Sequence, residues 1–122
     1  MNSLNEVRNN IFDCCVIGLG YIGLPTAVML ASTNKTKVLG VDINQKIVER
    51  INEGYSHFFE PELDDLLTNV IKEKKLFADT KPYYAKTFLI TVPTPIIENK
   101  AIPEPNLEYV FKAAESIAPY IK

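Results

Sequence analysis

Three glycines within six residues separate two apolar segments near the start of this 122-residue chain. Residues 18–23 read GLGYIG, follow the apolar run 14–17 and precede a second apolar segment. This order predicts a buried strand, a tight turn and a helix that begins close to the end of the strand. Gly18 suits the tight turn, and Gly23 lets the helix pack closely on the strand. Gly20 leaves the backbone without a Cβ where a ligand would approach it.

A turn of this kind can hold a phosphate group, because the unpaired N–H groups and the dipole at a helix N-terminus attract an anion. The second strand pattern, residues 37–41, ends at Asp42, which lies 19 residues past Gly23. Dinucleotide-binding folds place there the acid that accepts hydrogen bonds from the adenosine ribose. A carboxylate repels a 2′-phosphate, so the expected cofactor is NAD rather than NADP. The alternative is a glycine turn in an unrelated α/β unit.

Alternating strand and helix patterns predict an α/β fold, a doubly wound parallel sheet of the Rossmann type with strand order 3-2-1-4. The domain is assigned to residues 14–122, after a lead-in at residues 1–13, and residues 96–105 are predicted to be an irregular loop. The predicted strands are 14–18, 37–42, 76–78 and 87–92. The predicted helices begin near Tyr21, after the cap Asn44, at Pro61 and after the cap Asn106.

Apolar spacing predicts which helix faces are buried. A stripe of small residues on the first helix consists of Gly23, Ala27 and Ala31. The predicted buried face of the third helix is Leu63, Leu66, Leu67, Val70 and Ile71. That of the last helix is Leu107, Val110, Phe111, Ala114 and Ile117.

Ligands bind open parallel sheets at the carboxyl ends of the strands. The fourth predicted strand ends in Val92, Pro93 and Thr94, and in the predicted order it lies beside the first strand. We therefore expect a dinucleotide to extend from Asp42 across the glycine turn towards Thr94. Alternatively, the Thr94 hydroxyl closes its own turn. Lys46 either offers a cation near the ribose or is a solvated helix residue.

Charge and cysteine content exclude several classes of function. The net charge is −2, so no electrostatic argument favours a nucleic acid or an acidic membrane surface as partner. No apolar run approaches the roughly 20 residues that span a bilayer. No secretory signal is visible, so the expected location is cytoplasmic without a membrane partner. The adjacent Cys14 and Cys15 cannot form a disulfide framework and are expected to pack on opposite faces of the first strand.

No catalytic residue and no metal site are predicted within the chain. His57 is the single histidine and has no assignable partner, so we interpret it as a loop residue without chemistry. Glu60 precedes a helix and is interpreted as a helix cap rather than a general base. No spacing typical of metal ligands occurs.

Five motifs that follow residue 13 in order resemble the N-terminal domain of the UDP-glucose/GDP-mannose dehydrogenase family. They are residues 18–25, 40–44, 51–54, 60–63 and 92–95. Three stretches, 21–26, 41–45 and 92–95, are most similar to members that act on UDP-N-acetyl-D-mannosamine. The family oxidises the 6-hydroxyl of a nucleotide sugar to a carboxylate with two NAD, and a cysteine holds the intermediate.

The resemblance implies the NAD-binding domain of an enzyme that oxidises a UDP-sugar for polysaccharide biosynthesis and forms a homo-oligomer at full length. It implies that Tyr21 and Ile22 meet the pyrophosphate through backbone N–H groups, that Asp42 binds the adenosine ribose and that Thr94 lies near the cofactor. Many members carry Lys or Arg five residues past the ribose-binding acid. This chain has Ile47 there with Lys46 beside it, so that supporting contact is not carried over.

Family members run to several hundred residues, with a central helix, a sugar-binding domain and a catalytic cysteine downstream. We therefore expect a truncated cofactor domain that is inactive alone. Two alternatives are another NAD-dependent sugar or hydroxyacid dehydrogenase, UDP-glucose 6-dehydrogenase among them, and a nucleotide-binding module without catalysis.

Overall fold

The computed structural model describes residues 11–33, 35–58, 60–97, 101–102 and 104–121. Four parallel strands form one sheet in the order β3-β2-β1-β4, which confirms the predicted order. Their bounds are Phe12–Ile17 (β1), Val38–Val41 (β2), Leu76–Asp79 (β3) and Ala85–Ile90 (β4). β1 begins two residues before its predicted start, and residues 1–10 of the predicted lead-in lie outside the described residues.

The described helices are Gly23–Ser32 (α1), Gln45–Asn52 (α2), Pro61–Lys72 (α3) and Glu108–Ile117 (α4), and a 3₁₀ turn, Ala118–Tyr120, follows α4. Asn44 caps α2 as predicted, since its side-chain oxygen accepts hydrogen bonds from the backbone N of Lys46 at 3.0 Å and of Ile47 at 3.4 Å. In front of α4, the Asn106 side chain accepts from the backbone N of Glu108 at 3.0 Å.

Glu60 stands at the N-cap position of α3, but its side chain makes no capping hydrogen bond. The prediction of a carboxylate cap is therefore wrong. The shorter side chains of Ser, Thr, Asp and Asn reach the first N–H groups of a helix, and the glutamate chain is one methylene longer than the best of them. Pro61 occupies the first turn, where its missing N–H leaves no helical hydrogen bond unmade.

The sheet is buried on both faces by different elements. On one face, α1, α2 and α3 cover a cluster that includes Cys14, Val16, Val38 and Leu76. On the other face, Ala113 and Ile117 of α4 cover a cluster of Phe12, Cys15, Ile17, Leu39, Val41 and Phe77. The two cysteines thus lie on opposite faces of β1, as predicted. Burial raises the pKa of the Cys15 thiol to about 12, and burial with the nearby Asp13 carboxylate raises that of Cys14.

Two predicted helix faces need correction. Leu66 on α3 is 41% exposed, and on α4 the buried pair is Ala113 and Ile117, while Phe111 is 63% exposed. The predicted and the observed buried residues both fit helical periodicity, since residues four apart share a face. Periodicity alone does not select between two overlapping faces of a short helix.

β4 and the segment that follows it also differ from expectation. β4 ends at Ile90, two residues before its predicted end, and pairs with β1 alone among the described strands. An apolar run of this kind is typical of a central parallel strand, but β4 is an edge strand in the described sheet and its side chains are half-buried or exposed. Residues 96–105 are not wholly irregular, because Ile96–Ile97 (β5) pairs antiparallel with Glu104–Pro105 (β6). No helix in the described part of the chain is long and apolar enough to cross a membrane.

Candidate functional site

The glycine turn connects β1 to α1 at the carboxyl edge of the sheet. Gly18 has φ +99°, a left-handed conformation that favours glycine, and its backbone N donates to the Val41 carbonyl at 2.7 Å. A Cβ on Gly23 would overlap the Gly18 carbonyl oxygen and lie 2.5 Å from the Thr91 hydroxyl oxygen. The first and third glycines therefore allow the turn, the start of α1 and the end of β4 to meet at one point.

Thr91 is the residue that joins β4 to the turn, and the sequence did not single it out. Its backbone N donates to the Ile17 carbonyl at 2.8 Å. Its hydroxyl oxygen lies 3.0 Å from the Ile17 carbonyl and 2.7 Å from the Gly18 carbonyl, so its one proton is shared between two acceptors. The sequence feature that could have identified Thr91 as a site residue is its position directly after an apolar strand.

Asp42 follows β2 and reaches back to the glycine turn. Its carboxylate accepts a hydrogen bond from the Leu19 backbone N at 3.0 Å through one oxygen and from the Asn44 backbone N at 3.0 Å through the other. Each carboxylate oxygen has two acceptor sites, so both keep capacity for a further donor. The half-buried Asp42 is thereby oriented at the sheet edge, where it fits a ribose diol.

The backbone of the turn fits a pyrophosphate. Within the described residues, the N–H groups of Gly20, Tyr21 and Ile22 have no hydrogen-bond acceptor. The first turn of α1 contains no acidic side chain, so nothing there neutralises the positive end of the helix dipole. A Cβ on Gly20 would meet no atom within 4 Å, which leaves open space beside these donors.

The remaining predicted site residues are less closely tied to this centre. The Val92 backbone N lies 3.0 Å from the position of a Cβ on Gly18, so Val92 borders the turn. Pro93 and Thr94 are exposed, and Thr94 makes no hydrogen bond with the described residues. Lys46 is exposed in the first turn of α2. The structure therefore groups the glycine turn with Asp42 and Val92, and Thr91 rather than Thr94 contacts the turn.

Two further side chains that the sequence did not assign reach the turn from the loop between α2 and α3. The His57 Nε2 atom is hydrogen-bonded to the Leu19 carbonyl, and the Phe58 ring packs on that of Tyr21 with ring centroids 4.6 Å apart. The side chain of Leu19 itself is buried, and its methyl group comes within 2.9 Å of a Cβ position on Gly40. The described residues contain no group of three or more His, Cys, Asp or Glu side chains placed to hold a metal ion.

Proteins similar to this chain are dehydrogenases of nucleotide sugars. The sequence model described as "UDP-glucose/GDP-mannose dehydrogenase family, NAD binding domain" matches residues 12–122. The UDP-N-acetyl-D-mannosamine dehydrogenase of Campylobacter jejuni is 49% identical over 122 residues, which are 100% of this chain and 28% of that protein. The NDP-N-acetyl-D-galactosaminuronic acid dehydrogenase of Ralstonia nicotianae is 50% identical over 107 residues, which are 88% of this chain and 24% of that protein.

A solved structure gives the same result for the fold. The UDP-N-acetyl-mannosamine dehydrogenase of Staphylococcus aureus matches with a TM-score of 0.85 and 37% identity, covering 90% of this chain and 26% of that one. The chain spans about a quarter of the length of these relatives. The Rossmann-type fold and the cofactor NAD are thus confirmed, and the chain belongs to the UDP-glucose/GDP-mannose dehydrogenase family as its NAD-binding domain.

Proposed function

We propose that this chain holds NAD for the oxidation of a UDP-sugar. Asp42 binds the 2′ and 3′ hydroxyls of the adenosine ribose, and the N–H groups of Gly20, Tyr21 and Ile22 bind the pyrophosphate. The observation that carries this proposal is the hydrogen bond of 3.0 Å between the Asp42 carboxylate and the Leu19 backbone N. It fixes the ribose acid and the phosphate turn relative to each other before a ligand arrives, which lowers the ordering cost of binding.

In this proposal the far end of the cofactor extends past Gly18 and Val92 towards Thr94, and Lys46 stays near the ribose as a solvated cation. Bound NAD supplies the hydride acceptor for oxidation of an alcohol. The part of the chain described here contributes binding and orientation. Cys14 and Cys15 are buried in β1 with raised pKa values, so neither thiol acts as a nucleophile at neutral pH.

The proposed substrate is UDP-N-acetyl-D-mannosamine, oxidised at C6 to a carboxylate for polysaccharide biosynthesis. This substrate is supported by the relatives from Campylobacter jejuni and Staphylococcus aureus. A second candidate is a nucleotide-linked N-acetylgalactosamine derivative, which the Ralstonia nicotianae relative favours. Catalysis requires a sugar site and a cysteine nucleophile that we place in a longer protein. The homo-oligomer and the cytoplasmic location stay predictions from the sequence.

Titration calorimetry with NADH tests the cofactor site. Asp42→Asn keeps the shape of the side chain but removes its charge and one acceptor. Loss of hydrogen bonds from two ribose hydroxyls to a charged acceptor costs about 3 kcal/mol, which corresponds to roughly 100-fold in Kd. The variant should also bind NADPH relatively better, because the repulsion of a 2′-phosphate is gone. Asp65→Asn is the matched control, since Asp65 is exposed on α3 and bonded to none of the described residues. Unchanged NADH affinity in Asp42→Asn would refute the ribose assignment.

The substrate is tested on the product of the complete reading frame that contains this sequence. A continuation that encodes a cysteine-containing sugar domain supports the dehydrogenase, and NADH formation on a panel of UDP-sugars then identifies the substrate. A reading frame that stops after Lys122 would contradict catalysis and favour a nucleotide-binding module. Faster turnover of UDP-glucose than of the N-acetylated sugars would overturn the mannosamine assignment.

A further inference from the structure

The loop between α2 and α3 lies directly against the glycine turn. His57 Nε2 is hydrogen-bonded to the Leu19 carbonyl oxygen. The ring of Phe58 packs edge-on against that of His57, with centroids 5.0 Å apart, and it also packs on the Tyr21 ring. One polar and one aromatic contact thus connect residues 57–58 to residues 19–21, the segment whose backbone we assign to the pyrophosphate.

The loop is held in place by the helices behind it rather than by the turn. Ser56 is 2% exposed, and its backbone N donates to the Asp64 carboxylate at 2.8 Å. Its carbonyl accepts from the Arg50 Nε atom at 2.6 Å, which links the loop to α2. On α3, the Thr68 hydroxyl donates to the Gly54 carbonyl at 2.8 Å. Because these bonds are independent of the glycine turn, the loop presents His57 to it from a fixed position.

Both backbone polar groups of Leu19, its N–H and its carbonyl, are consequently hydrogen-bonded to side chains. Its N–H donates to Asp42, and its carbonyl is bonded to His57. In a trans peptide the carbonyl of one residue and the N–H of the next point in opposite directions. Fixing the Leu19 carbonyl towards His57 therefore fixes the Gly20 N–H away from it. This N–H is one of the donors of the turn that have no acceptor among the described residues.

Gly20 makes such a restraint necessary. A glycine adopts many backbone conformations at low cost, so the peptide before it can rotate. A rotated Leu19–Gly20 peptide would direct a carbonyl oxygen, instead of an N–H, at an anion. No other described side chain is hydrogen-bonded to the Leu19 carbonyl.

We propose that His57 is a positioning residue for the cofactor pyrophosphate: its Nε2–H donates to the Leu19 carbonyl and so keeps the Gly20 N–H directed at the phosphate. A carbonyl oxygen only accepts, which assigns the proton to Nε2. The proposal rests on the proposed function, since it needs NAD on the glycine turn. It changes the interpretation of His57 from a loop residue without chemistry to part of the site's support.

Two substitutions separate the hydrogen bond from the packing. His57→Phe keeps an aromatic ring beside Phe58 but has no donor. His57→Gln places a carboxamide nitrogen the same number of bonds from Cβ as Nε2, so the donor is restored. NADH titration of the 122-residue chain should give about 10-fold weaker binding for His57→Phe and nearly unchanged binding for His57→Gln. Tyr55→Phe is the control, because Tyr55 lies in the same loop but its ring packs on Arg50. The Arg50 Cζ atom lies 5.7 Å from the centroid of the Tyr55 ring.

A comparison of ligands distinguishes positioning from general damage. His57→Phe should weaken ADP-ribose as much as NADH and leave adenosine, followed by NMR titration, unchanged, since adenosine has no phosphate. Asp42→Asn should weaken all three ligands. Equal NADH affinity of His57→Phe and the wild-type chain overturns the proposal, and so does an equal loss for adenosine. If His57→Phe does not fold, the result for His57→Gln decides. A 10-fold loss of NADH affinity in that folded variant also refutes the proposal. A wild-type chain that binds none of the ligands refutes the proposed function instead.

Discussion

Gly23 and Gly20 lie in the same turn, yet the structure predicts opposite effects of adding a methyl group. A Cβ on Gly23 would overlap the Gly18 carbonyl oxygen and come within 2.8 Å of its carbon and 2.5 Å of the Thr91 hydroxyl. The first two obstacles are backbone atoms of a turn already bonded to β2 and β4, so they cannot move aside without breaking those bonds. Overpacking of this kind costs about 3 kcal/mol. At about 4 °C per kcal/mol for a chain of this size, Gly23→Ala should lower the Tm by roughly 12 °C.

Gly20→Ala is the matched variant, because a Cβ there meets nothing within 4 Å and the residue has no left-handed φ. We expect its Tm to stay within about 2 °C of wild type, because the added methyl group meets no other atom. The methyl group would instead occupy the space assigned to the pyrophosphate. Loss of one charge-assisted hydrogen bond, about 1.5 kcal/mol, weakens NADH binding by roughly 10-fold.

Thermal unfolding by circular dichroism and NADH titration measure the two effects on the same samples. The reasoning predicts that stability and binding separate: Gly23→Ala loses stability, and Gly20→Ala loses affinity alone. A Gly23→Ala chain with the wild-type Tm would refute the close-packing argument. A Gly20→Ala chain that binds NADH like the wild type would refute the placement of the phosphate.

Two predictions follow from ionisable groups outside the cofactor edge. The hydrogen bond from the Ser56 backbone N, with the nearby Ser56 hydroxyl and the charge of Arg50 as smaller causes, holds the pKa of Asp64 below its ordinary value of 3.8. A depressed folded-state pKa contributes stability above the unfolded value that is lost as the pH falls through the folded one. Urea unfolding should therefore show a smaller loss between pH 5 and pH 3 in Asp64→Asn than in wild type, and equal losses would contradict this cause. The Cys15 thiol, with a pKa of about 12, should react with iodoacetamide only after unfolding in urea, and rapid labelling of the native chain would contradict its burial.

Much of the fold and part of the candidate site could be predicted from sequence patterns. The strand order and the position of Asp42 follow from the alternation of strands and helices and from the end of one apolar run. Asn44 and Pro61 stand at helix starts for reasons that lie within the first turn of each helix. The helix starts and the position of Asp42 depend on neighbours a few residues away, whereas the strand order follows from the fold class that the alternation indicates.

The missed parts of the site depend on contacts between distant segments. Thr91 bonds to carbonyls 73 and 74 residues away, and His57 bonds to one 38 residues away. No periodicity or turn rule relates such positions. The exposure of β4 has a similar origin, since an apolar run indicates that a strand can be buried on both sides but not which elements stand beside it.

The unequal cover of the two sheet faces has a consequence for local opening. Three helices protect one face of β1, whereas α4 is the helix that covers the other face among the described residues, through Ala113 and Ile117. The amides of α4 should accordingly exchange with solvent through a low-energy opening, and those of β1 only through global unfolding. Leu19 of the glycine turn packs in the cluster under the three helices, and its backbone N donates to Asp42. An opening of α4 would therefore leave the cofactor edge folded, and α4 would form a cooperative unit separate from the sheet and the helices on its other face.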